Sequence, residues 1–372
     1  MKYYLIAGEA SGDLHASNLM KALLKRDVLA EFRYFGGDHM SEVGGELVKH
    51  HRDISFMGFQ EVAANIRTIL GLLSWAKKDI TAYRPDAVIL VDYPGFNLRM
   101  AKFCHELGLK VFYYISPQVW AWKKKRVHKI KRYVDRMFVI LPFEKDFYAK
   151  YDYEVDYVGH PLLDALPQIE LKETRAFKEA NGLDERPIIA LLPGSRLQEL
   201  KRILPKMLQG LQAFGAYQIV IAGLKSIGPD TYAEWTQGAS VSIVYNQTYD
   251  LLNNSEVAVV ASGTATLETA LFDVPQVVCY ETTWTTYHIA KYLVNIEFIS
   301  LVNLIYGKEM IKELIQHGFN PKSLEEEITR LLQSKERKEL KEKYEELRVI
   351  LGGGGASEKT AEGIWETLNR HD

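Results

Sequence analysis

The chain has 372 residues, of which 47% are hydrophobic and 25% charged, and its formal net charge is −2. That size and balance suit a soluble globular protein of two domains, each with its own core, and the lack of a global positive field argues against nucleic acid as a partner. No run of 18 apolar residues marks a transmembrane helix, and Cys104 and Cys279 lie far apart in contexts that suit buried, reduced thiols.

The first residues, Met1-Lys2-Tyr3-Tyr4-Leu5-Ile6-Ala7-Gly8, read as a strand entering a loop rather than as a signal peptide. From there short apolar strands alternate with longer amphipathic segments. Tyr3–Ala7, Arg33–Phe35, Ala87–Val91, Val111–Ile115, Met137–Ile140 and Val155–Val158 predict the strands of a first sheet. Leu14–Arg26, Phe96–Leu107, Lys123–Tyr133 and Phe143–Tyr151 predict the helices between them. After a junction near His160–Leu171 and a charged helix around Leu171–Asn181, the rhythm restarts. Ile188–Leu192, Gln218–Ala222, Ser242–Val244, Val257–Val260 and Gln276–Tyr280 predict a second sheet. Such βα alternation implies right-handed crossovers and mostly parallel sheets. The expected class is α/β, with two doubly wound Rossmann-like domains facing a cleft and ligands beyond the carboxyl ends of the strands. The expected bounds are 1–165, 166–350 and a terminal segment 351–372. There the linker Gly352–Gly355 separates the charged helical stretch Ser323–Leu351 from an amphipathic helix, Ala356–Leu368. That last helix either returns to the first domain or crosses to a partner chain.

Several loops carry polar groups where such a fold binds ligands. Ala7-Gly8-Glu9-Ala10-Ser11-Gly12-Asp13-Leu14-His15 follows the first strand. It is not GxGxxG, and its two carboxylates would repel a pyrophosphate. Glu9, Ser11, Gly12, Asp13 and His15 suit sugar hydroxyls or proton transfer better; the plain alternative has Ser11 and Asp13 capping the helix. Phe56-Met57-Gly58-Phe59 with Val62, Ala63, Ile66, Ile69, Leu70 and Leu73 forms a helix-like apolar stripe. Most such stripes are core, and the other reading makes Met57, Phe59 and Val62 a membrane contact. Asp92, in Val91-Asp92-Tyr93-Pro94-Gly95-Phe96-Asn97, ends an apolar strand, where low-dielectric walls raise a carboxylate's pKa and suit it to general-base work. Its alternative role is to fix the Tyr93–Gly95 turn.

Gln118 lies in Ser116-Pro117-Gln118-Val119-Trp120-Ala121-Trp122, whose aromatics either line an acceptor pocket or pack. Lys123, Lys124, Lys125, Arg126, Lys129, Lys131 and Arg132 follow as a nearly single-signed face, either solvated or facing anionic lipid or phosphate. In Leu191-Leu192-Pro193-Gly194-Ser195-Arg196, Gly194 and Ser195 permit close backbone approach. Arg196 is a fixed cation for a departing diphosphate or for a domain–domain salt bridge. Val257–Glu268, VAVVASGTATLE, reads as a strand entering a helix start formed by Ser262, Gly263, Thr264, Ala265 and Thr266. Unpaired N–H groups and hydroxyls there suit phosphate, and Glu268 one turn later suits a ribose diol. The alternative is an ordinary N-capped helix. No Cys/His cluster suggests a metal site.

Taken together, AGEASGDLHA, VDYPGFN, YYISPQVWAW, VGHPL (Val158–Leu162), LLPGSR, SGTATLE and SLVNLI (Ser300–Ile305) closely resemble the lipid-A-disaccharide synthase family, in order, from Met1 to about the final helix. One departure is Val302, where the family's SLPNL-like element has Pro. The resemblance implies a GT-B architecture, no cofactor and no divalent metal requirement. It implies a cytoplasmic enzyme held peripherally at the inner face of the inner membrane, and it leaves a homodimer open. The implied reaction joins UDP-2,3-diacylglucosamine to 2,3-diacylglucosamine 1-phosphate, giving a β-1,6 disaccharide 1-phosphate and UDP. An α-linked donor and a β product require inversion, so a base must meet the acceptor 6-hydroxyl and positive charge must meet the leaving UDP. On this view Asp92 is the candidate base, with Asp13, Glu9 and His15 as alternatives. Arg196 and Ser262–Thr266 hold the diphosphate, Glu268 holds the ribose, and Gln118 and Asn303 join the acceptor side. Other readings are a UDP-sugar 2-epimerase, the glycosyltransferase acting on the lipid-linked peptidoglycan precursor, or a non-catalytic nucleotide-sugar-binding protein. The pairing of AGEASGDLH with ISPQVWAW weighs against the first two.

Overall fold

The computed structural model describes residues 1–53, 66–121, 124–166, 169–225, 227–283, 287 and 297–370. The chain divides into two compact units, Met1–Ile169 with Leu351–Asp372, and Glu170–Ile350.

The first unit is built on seven parallel strands: β1 (Lys2–Ala7), β2 (Glu31–Gly36), β3 (Glu46–His50), β4 (Ala87–Val91), β5 (Lys110–Tyr114), β6 (Arg136–Val139) and β7 (Asp156–Tyr157). Their spatial order is β3-β2-β1-β4-β5-β6-β7. Helices cover both faces, so the central strands are apolar on both sides; every residue of β4 is buried. Successive side chains of β1 serve opposite cores. Tyr3, Leu5 and Ala7 pack with Leu19, Met20 and Leu23, while Tyr4 and Ile6 pack with Leu73, Ala76, Ile80 and Met100.

The second unit has six parallel strands: β8 (Ile188–Leu192), β9 (Gln218–Gly223), β10 (Val241–Tyr245), β11 (Ser255–Ala261), β12 (Gln276–Tyr280) and β13 (Lys312–Ile315). Their order is β10-β9-β8-β11-β12-β13. Both sheets are therefore doubly wound. The order reverses between β1 and β4 in the first unit and between β8 and β11 in the second. At such a reversal the crossovers leave toward opposite faces, and a crevice opens beyond the strand ends.

Several elements differ from their sequence expectation. The first helix starts four residues early, at Ala10, because the polar Ser11 and Asp13 lie within its first turn. The stretch Ser323–Leu351 is two helices, Pro321–Leu331 and Ser334–Leu351, the first N-capped by the Asn320 side chain. The basic segment, from Lys124, is a 3-10 turn (Lys124–Arg126) and a seven-residue helix (Val127–Tyr133). Val127 and Ile130 anchor that helix, and Lys129, Lys131 and Arg132 are exposed. The strands β3 and β13 are short edge strands of mixed polarity, without the apolar runs that mark the others. Met57, Phe59, Val62, Trp122 and Lys123 lie outside the described residues.

The last helix, Ala356–Asn369, packs on the Ala10–Arg26 helix of the first unit through Ala356, Ala361 and Ile364. Its N-cap is Gly355, which has no side chain to offer. Asp164 substitutes: its carboxylate accepts the N–H groups of Gly355, Ala356 (3.2 Å) and Ser357 (2.8 Å). A negative charge at a helix N-terminus is also favoured by the helix dipole. Asp164→Ala leaves those donors unpaired and should lower the urea denaturation midpoint, with a loss of about 1–3 kcal/mol. An unchanged midpoint would show that the cap does not hold this helix.

Candidate active site

In the first unit the loops that follow β1 and β4 flank the strand-order reversal. Asp92 and Tyr93, just past β4, both have left-handed backbone (φ 44° and 48°), uncommon for residues with side chains. The surrounding structure over-determines this turn. The Asp92 N–H donates to Tyr114 O (3.0 Å), and its carbonyl accepts from Asn97 Nδ2 (2.8 Å) and the Tyr113 hydroxyl (2.6 Å). Asn97 Nδ2 also reaches Ile6 O and Val91 O, tying the turn to both central strands. Burial pushes the Asp92 carboxyl up to about 7, the Glu9 charge adds to this, and the Tyr93 backbone N–H partly offsets it. A pKa raised toward neutrality suits a general base, which acts in its ionised form and is strongest when its pKa lies near the working pH.

Gly8 explains how Glu9 comes to Asp92. A Cβ on Gly8 would lie 2.4 Å from the Tyr93 ring, so only glycine lets the two loops touch. Tyr93 in turn stacks on Phe96 at 5.7 Å. Glu9 is half-buried and Ser11 exposed, while Gly12 is buried beside Ala7. Gln118 is exposed on the loop after β5, the strand beside β4.

Two expected acceptor-side residues, Asp13 and Asn303, take other roles, and a third, His15, is buried. Asp13 is buried, and its oxygens accept the N–H groups of Gly37 (2.6 Å), His39 (3.0 Å) and Met40 (3.2 Å). It caps not its own helix but the neighbouring Asp38–Val43 helix, whose N-cap, Gly37, has no side chain. His15 is buried, and burial lowers its pKa to about 4, with a small opposing effect of Asp164. It is neutral at pH 7 and a weak proton acceptor. Beside it, burial lowers His160 to about 3, and His15 adds to that. Asn303 corrects the expectation most plainly. It belongs to the second unit, and its amide is fully used: Nδ2 donates to Ile311 O and Glu313 (both 2.9 Å), and Oδ1 accepts from Met310 N (2.8 Å) and Ile311 N (3.0 Å). No capacity remains for a substrate. Val302 stands at the second position of the Leu301–Tyr306 helix, where a proline's missing N–H costs nothing, so valine and proline are interchangeable there.

In the second unit the loops after β8 and β11 flank the other reversal. Gly194 has φ 104°, and a Cβ there would lie 2.5 Å from Glu199 Oε2. Burial raises the Glu199 carboxyl and the Arg196 cation opposes this; both groups also act on Tyr280 at the end of β12. Ser195 and Arg196 are exposed. After β11, the Ser262 hydroxyl donates to Ile299 O (3.0 Å). The Thr266 side chain is wholly buried and donates to Gly263 O (2.8 Å), so it holds the turn rather than serving a ligand. The N–H groups of Thr266, Leu267 and Glu268 also turn back, onto Gly263 O and Thr264 O. An anion here would therefore be met by Gly263, Thr264 and Ala265. Glu268 is half-buried; burial of its carboxyl raises its pKa, and the Tyr249 hydroxyl beside it opposes this. Tyr249 is itself stacked on Phe272 at 5.5 Å.

Asn97, Tyr113, Tyr249 and Glu199 were not among the expected site residues. Asn97 and Glu199 stand in the quoted loop or just beyond one, where a first-turn polar residue is a legible signal. Tyr113 and Tyr249 are brought in from neighbouring elements and leave no local trace.

The family described as lipid-A-disaccharide synthetase matches residues 3–366. The lipid-A-disaccharide synthase of Myxococcus xanthus is 38% identical over 372 residues, 98% of this chain and 97% of that protein. That of Syntrophus aciditrophicus is 39% identical over 365 residues, 96% of this chain and 95% of that protein. Among solved structures, the UDP-GlcNAc 2-epimerase of Neisseria meningitidis bound to UDP-GlcNAc has a TM-score of 0.69 and 15% identity, covering 98% of this chain and 100% of that one. That likeness carries the fold alone. With a full-length family match and relatives well above 30% identity, the chain belongs to the lipid-A-disaccharide synthase family.

Proposed function

We propose that the chain moves a 2,3-diacylglucosamine unit from UDP to O6 of 2,3-diacylglucosamine 1-phosphate, inverting the anomeric centre. Family membership makes it a glycosyltransferase of the hexosyl class. The observation that carries the mechanistic reading is the Asp92 turn, which holds a carboxyl of raised pKa on left-handed backbone at a strand-order reversal. In the reaction the acceptor O6–H bond breaks and its proton goes to Asp92. The oxygen forms a bond to C1 of the donor sugar as the C1–O bond to UDP breaks, and UDP leaves with the electron pair. Glu9, Ser11 and Gln118 stand on the acceptor side, in the first unit. On the donor side Arg196, Ser195 and the Gly263–Ala265 N–H groups meet the diphosphate, and Glu268, oriented by Tyr249, accepts from the ribose hydroxyls.

Because the lipid substrates live in a bilayer, we assign the enzyme to the inner face of the inner membrane, bound peripherally. No helix among the described residues is long and apolar enough to cross a membrane. Support for surface binding comes from Leu70, 56% exposed near the start of the Ile66–Tyr83 helix that follows Met57, Phe59 and Val62, and from the exposed lysines of the basic segment.

Asp92→Asn should lower turnover by roughly 10²–10⁴-fold while UDP affinity stays near that of the native chain. Retained turnover would move the base to Glu9. Since only ionised Asp92 accepts a proton, kcat/KM should rise with pH and level off above about 7. Glu9→Gln removes a charge that raises Asp92, so the acid limb should move to lower pH, though burial keeps it above the ordinary carboxylate range. A profile unmoved by Glu9→Gln would separate the two groups. Glu268→Ala should weaken UDP binding by about 1–3 kcal/mol in calorimetry, the cost of a lost charged hydrogen bond; unchanged affinity refutes the ribose assignment. Leu70→Ser should weaken vesicle co-sedimentation about tenfold, the order for burying one leucine, with no fall in the denaturation midpoint. A lower midpoint with unchanged sedimentation would make Leu70 a packing residue.

A further inference from the structure

Glu144 is a buried acid that the transfer chemistry above does not use. It sits on the Pro142–Ala149 helix after β6 and is 1% exposed. Its carboxyl accepts the N–H groups of Ile140 (3.2 Å) and Leu141 (2.9 Å), an ordinary cap for its own helix. Its reach goes further, to the loop that follows β5. There it lies beside the Ser116 hydroxyl and the Trp120 indole N–H, both of which favour its charged form, and the indole N–H is buried without an aligned hydrogen bond. Two more groups of the same helix grip that loop. The Tyr148 hydroxyl is 2.8 Å from Ser116 Oγ, and the Phe143 ring meets Trp120 edge-on at 5.0 Å. Val119, Trp120 and Ala121 are buried beneath the loop, and Gln118 alone stands out at its tip.

The other end of the loop bears on the Asp92 turn. The loop begins at Ile115, whose backbone is left-handed (φ 66°) and whose N–H donates to Phe138 O (3.1 Å). The two residues before it, Tyr113 and Tyr114, hold Asp92 through the phenol and the carbonyl. Gln118 and Asp92 thus leave adjacent strands at the same edge of the sheet. Apolar packing alone would bury Trp120. A carboxylate, with several acceptor positions, can take two backbone donors and still face the loop's polar groups. The fold bears a cost for this, since burial pushes the Glu144 carboxyl up to about 7.

We propose that Glu144 is a positioning residue for the transfer reaction, anchoring the Ser116–Ala121 loop so that Gln118 meets the acceptor sugar phosphate. This rests on the acceptor-side reading given above. A residue acting only through its helix cap would lower stability and leave substrate discrimination alone. A residue that positions the acceptor loop acts on one substrate.

The experiment is steady-state kinetics with each substrate varied in turn, on Glu144→Ala, Glu144→Gln and Trp120→Phe, beside denaturation midpoints. Glu144→Ala should raise the acceptor KM about tenfold or more and change the donor KM less than about twofold, since a shift near 1 Å in a positioning group has effects of this order. Glutamine keeps an acceptor oxygen and should restore most of the loss. Trp120→Phe removes only the indole N–H and should give a smaller loss of the same kind. An unchanged acceptor KM in folded Glu144→Ala overturns the proposal, as does an equal rise in both KM values. If Glu144→Ala does not fold, the decision falls to Trp120→Phe and Ser116→Ala, and an unchanged acceptor KM in both overturns it. Failure of the native chain to release UDP from the diacyl donor in the presence of acceptor overturns the acceptor-side reading itself, which keeps the two failures apart.

Discussion

In a parallel sheet every strand ends on the same side, and the strand order decides where that side opens. In both units the order reverses once, between β1 and β4 and between β8 and β11. The crossovers on either side of each reversal leave toward opposite faces, so no connection closes the gap. The glutamate loop and the Asp92 turn bracket one gap, and the Gly194–Arg196 and Ser262–Glu268 loops bracket the other. These groups are distant in sequence, and strand order alone assembles each set. The buried strand ends beneath them supply the low-dielectric floor that raises Asp92 and Glu268.

Within that frame, what separates a chemical residue from a scaffold residue is how much hydrogen-bonding capacity the protein itself consumes. Asp13 and Asp164 each gather three backbone N–H groups and cap helices whose own cap residues are glycines. Asn303 makes all four of its bonds internally. Thr266 gives its only proton to Gly263. Asp92 and Glu268 are as polar and nearly as enclosed, yet among the described residues a backbone N–H favours the charge of one and a phenol that of the other. In the proposed reading substrate hydroxyls use the acceptor positions of both. Residue type and loop position do not make this distinction; the count of internal partners does.

The sequence carried the central strands well, because a strand buried on both faces needs an apolar run, and β1, β4, β5, β8, β11 and β12 each carry one after at most two polar residues at the start. It carried the edge strands β3 and β13 poorly, because one side of an edge faces solvent and the composition turns mixed: Glu46-Leu47-Val48-Lys49-His50 has no period to read. It located the four loops that flank the strand-order reversals, since Gly, Ser, Thr and acids just past an apolar run are a local signal. It did not apportion roles within them. Asp13 shows why. Its partners are three N–H groups about 25 residues downstream, and their approach depends on how β2 pairs with β1, a non-local fact. Tyr249 and Tyr113 were illegible for the same reason, and so was the reach of Glu144 to Ser116.

Family likeness and residue role are therefore separate kinds of knowledge, and Gly8 shows how they connect. Seen in the sequence, it is one glycine of an N-terminal motif. In the structure it is the surface on which the Tyr93 ring rests, and any side chain there would collide with that ring at 2.4 Å. Through that contact Glu9 comes close enough to raise Asp92, and Tyr93 shares its strained turn with Asp92. Within such a motif a few residues fix the approach of the others. The proposed base is then tuned by a neighbour that belongs to another motif, and neither motif has the property alone.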